Sequence, residues 1–203
     1  MTATAIGAYA TAALLKTSLG VTDSTDDTAL GLVCDRINAY VELFTGRVLA
    51  PIASAAIKLD GDGSRELRYP KGIRAVTLLE IADYTGAAYQ TIAAGDYFLR
   101  PGPAGLRPGW PYTRIMLSDH PAGSHTRFSA GLDTVRMTAT TGWTAIPDDV
   151  TELAITAATR AWHSAQAGQS DIVGTDEMGR PLVSRFFSAR DLGTLRTYSV
   201  DIP

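Results

Sequence analysis

The side chains that could carry chemistry in this sequence are few, and their spacing works against it. His120 and His125 stand five residues apart in a stretch rich in Pro, Gly and Ser; His163 falls in a helical pattern far along the chain. A zinc centre needs three or four ligands in tetrahedral reach. The sole cysteine, Cys34, lies near none of the three histidines in sequence. They read as loop and helix-surface residues. Asp60-Gly61-Asp62-Gly63 suggests a calcium loop, which needs Gly at its sixth position and Glu at its twelfth. Counted from Asp60, those positions hold Arg65 and Lys71, so the segment reads as a turn. The paired acids Asp148-Asp149 and Asp176-Glu177 would need a desolvated cleft to act as acid and base. The first pair reads as a helix start and the second as loop.

Other catalytic patterns fail in the same way. No serine sits in the Gly-x-Ser-x-Gly elbow that exposes a nucleophile. Gly102, Gly105 and Gly109 are interleaved with prolines, which would stop the helix that a phosphate-cradling loop requires. Trp110, Trp143 and Trp162 could stack sugars or bases, but aromatics of small β domains more often pack in cores or interfaces. The sequence therefore predicts no catalytic residue, no cofactor and no metal.

Composition narrows the class further. With 45% hydrophobic and 19% charged residues in 203, the chain can bury a core without disulfide or metal staples. A formal net charge of −3 gives it no bulk pull toward nucleic acid or an anionic membrane. No apolar run approaches the ~20 residues that span a bilayer, and no secretory leader is evident at residues 1–19. Arginine outnumbers lysine, which is confined to Lys16, Lys58 and Lys71. Arg suits interfaces through its planar fork, although a GC-rich genome would produce the same bias.

The elements behind these residues fall into three stretches. Residues 1–46 read as helical. Ala10 to Leu19 ends at Gly20, and Asp23 to Asp27 supplies acids and capping residues before a second helix. That helix places Leu30, Val33, Ile37, Tyr40, Val41 and Phe44 at helical spacing and stops at Gly46. Residues 47–144 alternate instead: Ile57 and Leu59, Leu67 and Tyr69, Val76 and Leu78, Tyr97 and Leu99, Ile115 and Leu117, Val135 and Met137. Gly, Pro or Asp bounds each run, which predicts an antiparallel β domain of five or six strands. Leu59, Leu67, Val76, Leu78, Leu117 and Val135 should face inward. Asp60 to Gly63 should turn a hairpin, and Pro101 to Pro111 should be loop.

Residues 145–168 return to helix. Pro147 and Asp148-Asp149 mark its start, and Val150, Leu153, Ala154, Ala157, Ala158, Ala161, Trp162 and Ala165 form its stripe. The fold class is α+β: a small helical bundle formed by N- and C-terminal segments, with an inserted antiparallel β domain. Helices 26–45 and 148–166 should pack together, burying Val33, Ile37, Leu153, Ala157 and Trp162. Residues 169–203 form a C-terminal arm. Gln169 to Gly179 is polar and should pack poorly, and Ser188 with Asp191 should cap a last helix.

The order of features resembles a known family. The capped helix leads into Asp60-Gly61-Asp62-Gly63-Ser64-Arg65-Glu66-Leu67-Arg68-Tyr69-Pro70. Then follow Ala75-Val76-Thr77-Leu78-Leu79-Glu80-Ile81 and Gly95-Asp96-Tyr97-Phe98-Leu99. Thr140-Thr141-Gly142-Trp143 and Ile146-Pro147-Asp148-Asp149-Val150 open the alanine-rich helix. Over residues 5–166 this resembles the head–tail connector, or adaptor, proteins of tailed bacteriophages. The resemblance implies a non-enzymatic virion subunit assembled in the bacterial host cytoplasm. It implies a ring, usually of twelve copies, docked on the portal protein and extending the DNA channel toward a stopper or tail-terminator protein. Contact with passing DNA would be non-specific and salt-sensitive.

The resemblance also gives the C-terminal segment a role in docking. Arg180, Arg185, Phe186, Phe187, Arg190, Leu192, Leu195 and Tyr198 combine aromatic and apolar anchors with Arg, as an interface core requires. The segment either folds back on its own domain or reaches a neighbouring copy or the portal. The second is the expectation, so that removing it from Gly168 onward would spare the fold and abolish docking. The competing reading is a monomeric binding module, carbohydrate-directed, on a helical base.

Overall fold

A computed structural model describes residues 8–82, 88–101, 109–119, 125–166, 172–175, 181–183 and 186–199. The chain divides into two compact units, Met1–Leu49 with Ile146–Pro203, and Ala50–Ala145.

The first unit is helical. Helix α1 (Ala12–Leu19) begins at Thr11, whose side chain accepts the Leu14 N–H, and buries Leu15. Helix α2 (Asp27–Thr45) has Asp27 in its first turn, where the dipole favours an acid. It ends at Gly46 in the left-handed region, whose N–H donates to the Glu42 carbonyl at 2.8 Å. Leu30, Val33, Cys34, Ile37 and Val41 are buried along one face. Helix α3 (Asp148–Gln166) buries Val150, Leu153, Ala154, Ala157 and Ala158, and its small side chains let α2 pack closely on it. Trp162, expected in this core, is only half-buried. Helix α1 touches both α2 and α3.

Two buried polar groups tie the start of the chain to α2. Asn38 accepts the Ala10 N–H at 2.8 Å and donates to its carbonyl at 3.0 Å. The Tyr9 hydroxyl donates to Glu42 and accepts the Leu49 N–H at 2.8 Å. Burial holds this phenol above its usual range against the lowering pull of the Leu49 N–H, and the Glu42 charge pushes the same way as burial. Ile37 lies at 3% exposure in the middle of α2. We expect Ile37→Ala to cost about 2–5 kcal/mol by lost transfer energy and cavity formation, measured by chemical denaturation.

The second unit is one six-stranded antiparallel sheet. Its strands are β1 (Pro51–Gly61), β2 (Glu66–Ala82), β3 (Tyr89–Thr91), β4 (Tyr97–Arg100), β5 (Tyr112–Leu117) and β6 (Gly131–Gly142). The order is β1-β6-β2-β5-β4, with β3 on the end of β2. Leu67, Ile73, Leu79, Ile81, Ile115, Leu117, Phe128, Val135 and Met137 form its core.

Three expectations change here. Asp60 to Gly63 is not a hairpin, because β6 lies between β1 and β2. The segment crosses the end of β6 and is stitched to it: Asp60 accepts the Asp133 N–H and Thr134 Oγ1 accepts the Gly61 N–H. Leu78 is exposed and Leu79 is buried. A register shift between Val76 and Leu78 against β6 moves the pleat by one residue, which exchanges the two faces. Finally, the two runs at Leu67 and Val76 belong to one strand. Its pairing with β5 breaks between Arg68 and Ile73, where Pro70 has no N–H to donate.

Beyond α3, Ile172–Thr175 (β7) pairs antiparallel with Pro181–Val183 (β8). The polar stretch thus contains a strand that the sequence reading did not anticipate. Helix α4 (Ala189–Tyr198) closes the described chain.

Candidate assembly interface

Asp62, Ser64 and Asp149 serve a turn and a helix start. Asp62 accepts the Ser64 N–H at 2.8 Å, and its hydrogen bonds to Ser64 hold its carboxyl below the usual range. The Ser64 hydroxyl donates to the Glu66 carbonyl at 2.6 Å. Asp149 accepts the Val150 N–H at the start of α3. His125 pairs with Gln90 at 2.9 Å, and His163 is exposed on α3. Trp143 is buried with its ring edge-on to Trp110, centroids 5.7 Å apart. Among the described residues no three His, Cys, Asp or Glu side chains gather as a metal would need. His120, Asp176 and Glu177 lie outside the described residues.

The C-terminal segment folds back on its own unit. Ser188 and Asp191 make the expected capping box, and α4 packs on α2 and α3. Phe187 is buried and stacks on Tyr40 at 4.6 Å. Leu195 is fully buried, and the Tyr198 hydroxyl donates to both Asp149 oxygens at 2.9 Å. Arg47 donates to the Ser199 carbonyl. Arg160 donates to the Phe186 carbonyl at 3.1 Å and to Asp191 at 2.9 Å. Over residues 186–199 the segment thus packs on its own unit. Of the eight residues singled out from the sequence, Phe187, Leu195 and Tyr198 go into the unit's own core. Phe186 at 42% exposure, Arg190 and the half-buried Leu192 remain at its surface. Arg180 and Arg185 lie outside the described residues.

Asp191 gives this docking a pH dependence. Partial burial raises its pKa, but hydrogen bonds from Ser188 and Arg160 outweigh that, and the net shift is down. A carboxyl with a lowered folded pKa stabilises fully above its unfolded value of about 3.9. That contribution is lost as pH falls toward the folded value. We expect helix content and the helical-unit melting temperature to fall as pH drops below about 4. In Asp191→Asn the acid-side loss should be smaller and stability near pH 7 lower, as read by circular dichroism.

No protein-family profile matches this chain, and no curated protein matches it by sequence. Solved structures do match in shape. One is the neck of an empty GTA particle computed with C6 symmetry, at TM-score 0.57 and 18% identity over 97% of this chain and 93% of that chain. Another is the neck of the native GTA particle computed with C12 symmetry, at TM-score 0.53 and 20% identity over 97% and 92%. A third, from the virion of a native gene transfer agent (GTA) particle, gives 0.55 and 18% over 98% and 93%. The chain has the fold of a GTA neck protein.

On this neck-protein fold, helix α2 carries a second stripe that sequence reasoning missed. Leu32, Ala39 and Leu43 recur at seven and four residues and lie opposite the buried face, with Tyr40 beside them. Leu32 is 56% exposed and Leu43 82%. Clustered exposed apolar residues rimmed by polar ones mark interaction surfaces. The signal in the sequence is Leu32 and Leu43, apolar residues that fall off the helical stripe of Leu30, Val33, Ile37 and Val41.

Proposed function

We propose that this chain is a structural subunit of a virion neck, forming a ring at the head–tail junction. The observation that carries the reading is the fold likeness over nearly the whole chain to neck structures computed with C12 and C6 symmetry. The ring is read as twelve copies docked on a portal protein, with a stopper or tail-terminator protein on its other side and DNA passing through it. The role is non-enzymatic, and the subunit assembles in the host cytoplasm before entering the particle. A closed ring repeats one heterologous contact. The exposed stripe on α2 offers apolar surface for such a contact, and Phe186, Arg190 and Leu192 are the surface remainder of the C-terminal segment that would meet a neighbour or the portal. Arg180 and Arg185 belong to the same proposed contact.

Electron microscopy of the purified full-length chain, with light-scattering mass alongside, tests this reading. The expected result is rings with a mass twelve times that of the chain. A chain that stays monomeric at high concentration, alone and with portal protein, would refute it.

A further inference from the structure

The outward face of the sheet, opposite the core, carries an arrangement that sheet stability alone does not favour. Arg68 on β2 stands opposite Arg114 on β5, which stands opposite Arg100 on β4. Like charges directly across strands repel and destabilise a sheet. The next row on the same face is Glu66, Met116 and Phe98. Glu66 offsets part of the repulsion: Arg114 donates to it at 3.2 Å, and Arg68 lies 3.6 Å from it. The rest of the Arg114 guanidinium is fixed on the Pro101 carbonyl. Arg68 and Arg114 share the Glu66 carboxylate, and Glu66 is the one acid among the six residues of these two rows. The Arg68 side chain is 78% exposed and Phe98 50%.

Exposed Arg beside exposed Phe is the composition of a protein interface rather than of a phosphate-tracking groove. The charge that would answer it is on the other unit. Residues 50–145 hold ten Lys/Arg and eight Asp/Glu, net +2; residues 1–49 with 146–203 hold eight and thirteen, net −5. One end of the helical unit carries exposed acid. Contacts from Arg47 to Ser199 and from Tyr198 to Asp149 bring the segment after α2 and the first turn of α3 to that end. There Asp148 and Glu152 are exposed one turn apart.

We propose that the Arg68/Arg114/Arg100 face of one copy docks on the Asp148/Glu152 end of the helical unit of the next copy. The proposal rests on the ring reading above and specifies its contact. Two different patches on each chain, complementary to each other, make a head-to-tail contact that propagates around an axis. Charge complementarity of this kind fixes partner and register.

Two full-length variants test it together. Arg68→Glu with Arg100→Glu makes both patches acidic; Asp148→Arg with Glu152→Arg makes both basic. Each variant alone should need at least about tenfold more protein for half-assembly, because like charges then face each other. Mixed one to one, they should regain assembly in alternating rings, since every junction again pairs opposite charges. That rescue also shows that both variants are folded. Wild-type rings should loosen between about 0.1 M and 1 M salt, as the screening length falls from ~10 Å to ~3 Å.

Variants that assemble like the wild type would overturn the proposal while leaving the ring intact. So would variants that fail singly and are not rescued by mixing, which would place the pairing within one chain. Intact assembly of the first variant with lost affinity for duplex DNA would make nucleic acid the partner instead. A wild-type chain that never assembles sinks both this proposal and the ring.

Discussion

Leu195→Ala should destabilise the helical unit by about 2–5 kcal/mol, and removal of everything after Gln166 should destabilise it further. Leu195 is fully buried, and α4 packs on both α2 and α3. The truncation removes Phe187 from the Tyr40 ring and strips Asp149 of the Tyr198 hydroxyl. Apolar area returned to water costs roughly 25 cal/mol per Å², and α2 and α3 would each lose a covering layer. Denaturation followed by helix signal should show the transition shifted to lower denaturant in Leu195→Ala. In the truncated chain helix content should drop before denaturant is added. A truncated chain with an unchanged midpoint would restore the picture of a free arm drawn from the sequence.

Gly142→Ala should cost about 3 kcal/mol or more in the β unit. Gly142 has φ +76, a region where a Cβ is strained. A Cβ there would also run into the Ala50 carbonyl oxygen, which is backbone and cannot swing aside. The position ends the β1–β6 ladder, where Gly142 pairs with Pro51, and the buried Trp143 follows it directly. A displaced backbone at 142 therefore displaces a core indole as well. Gly95→Ala is the control: nothing lies within 4 Å of its added Cβ and its φ is not positive. Equal midpoints for the two variants in thermal denaturation would show that the close approach at Gly142 is not a constraint.

Gly142-Trp143 was legible as a motif before its reason was visible, and the two long helices were legible outright. Helices expected over 26–45 and 148–166 occupy Asp27–Thr45 and Asp148–Gln166, because acids at the start, a helical stripe and terminal glycines are all local signals. Strand positions were local too, but strand phase was not. A one-residue shift beside Val76 sends Leu78 outward, and nothing in Val-Thr-Leu-Leu announces it. The placement of β6 between β1 and β2 depends on pairing between residues 54 to 91 positions apart, which no turn motif encodes. The C-terminal residues were recognised as apolar anchors and assigned outward. An apolar anchor reads the same whether it fills its own core or a neighbour's. The arginine row is invisible in sequence, since Arg68, Arg100 and Arg114 meet only when three strands align.

The position of β6 also decides when the chain can fold as it leaves the ribosome. Strand β6 is the last strand of its unit to be made, and it pairs with β1 on one side and β2 on the other. Until β6 begins to emerge at Gly131, β1 has no neighbour in the sheet. Its segment Ile52-Ala53-Ser54-Ala55-Ala56-Ile57 carries no charge and waits as an unpaired, aggregation-prone edge. The helical unit waits longer, because Leu195 and Tyr198 complete it from the far end of the chain. Synthesis at about 5–20 residues per second leaves β1 open for several seconds. A nascent chain of this kind is an expected client for the chaperones that meet polypeptides at the ribosome exit.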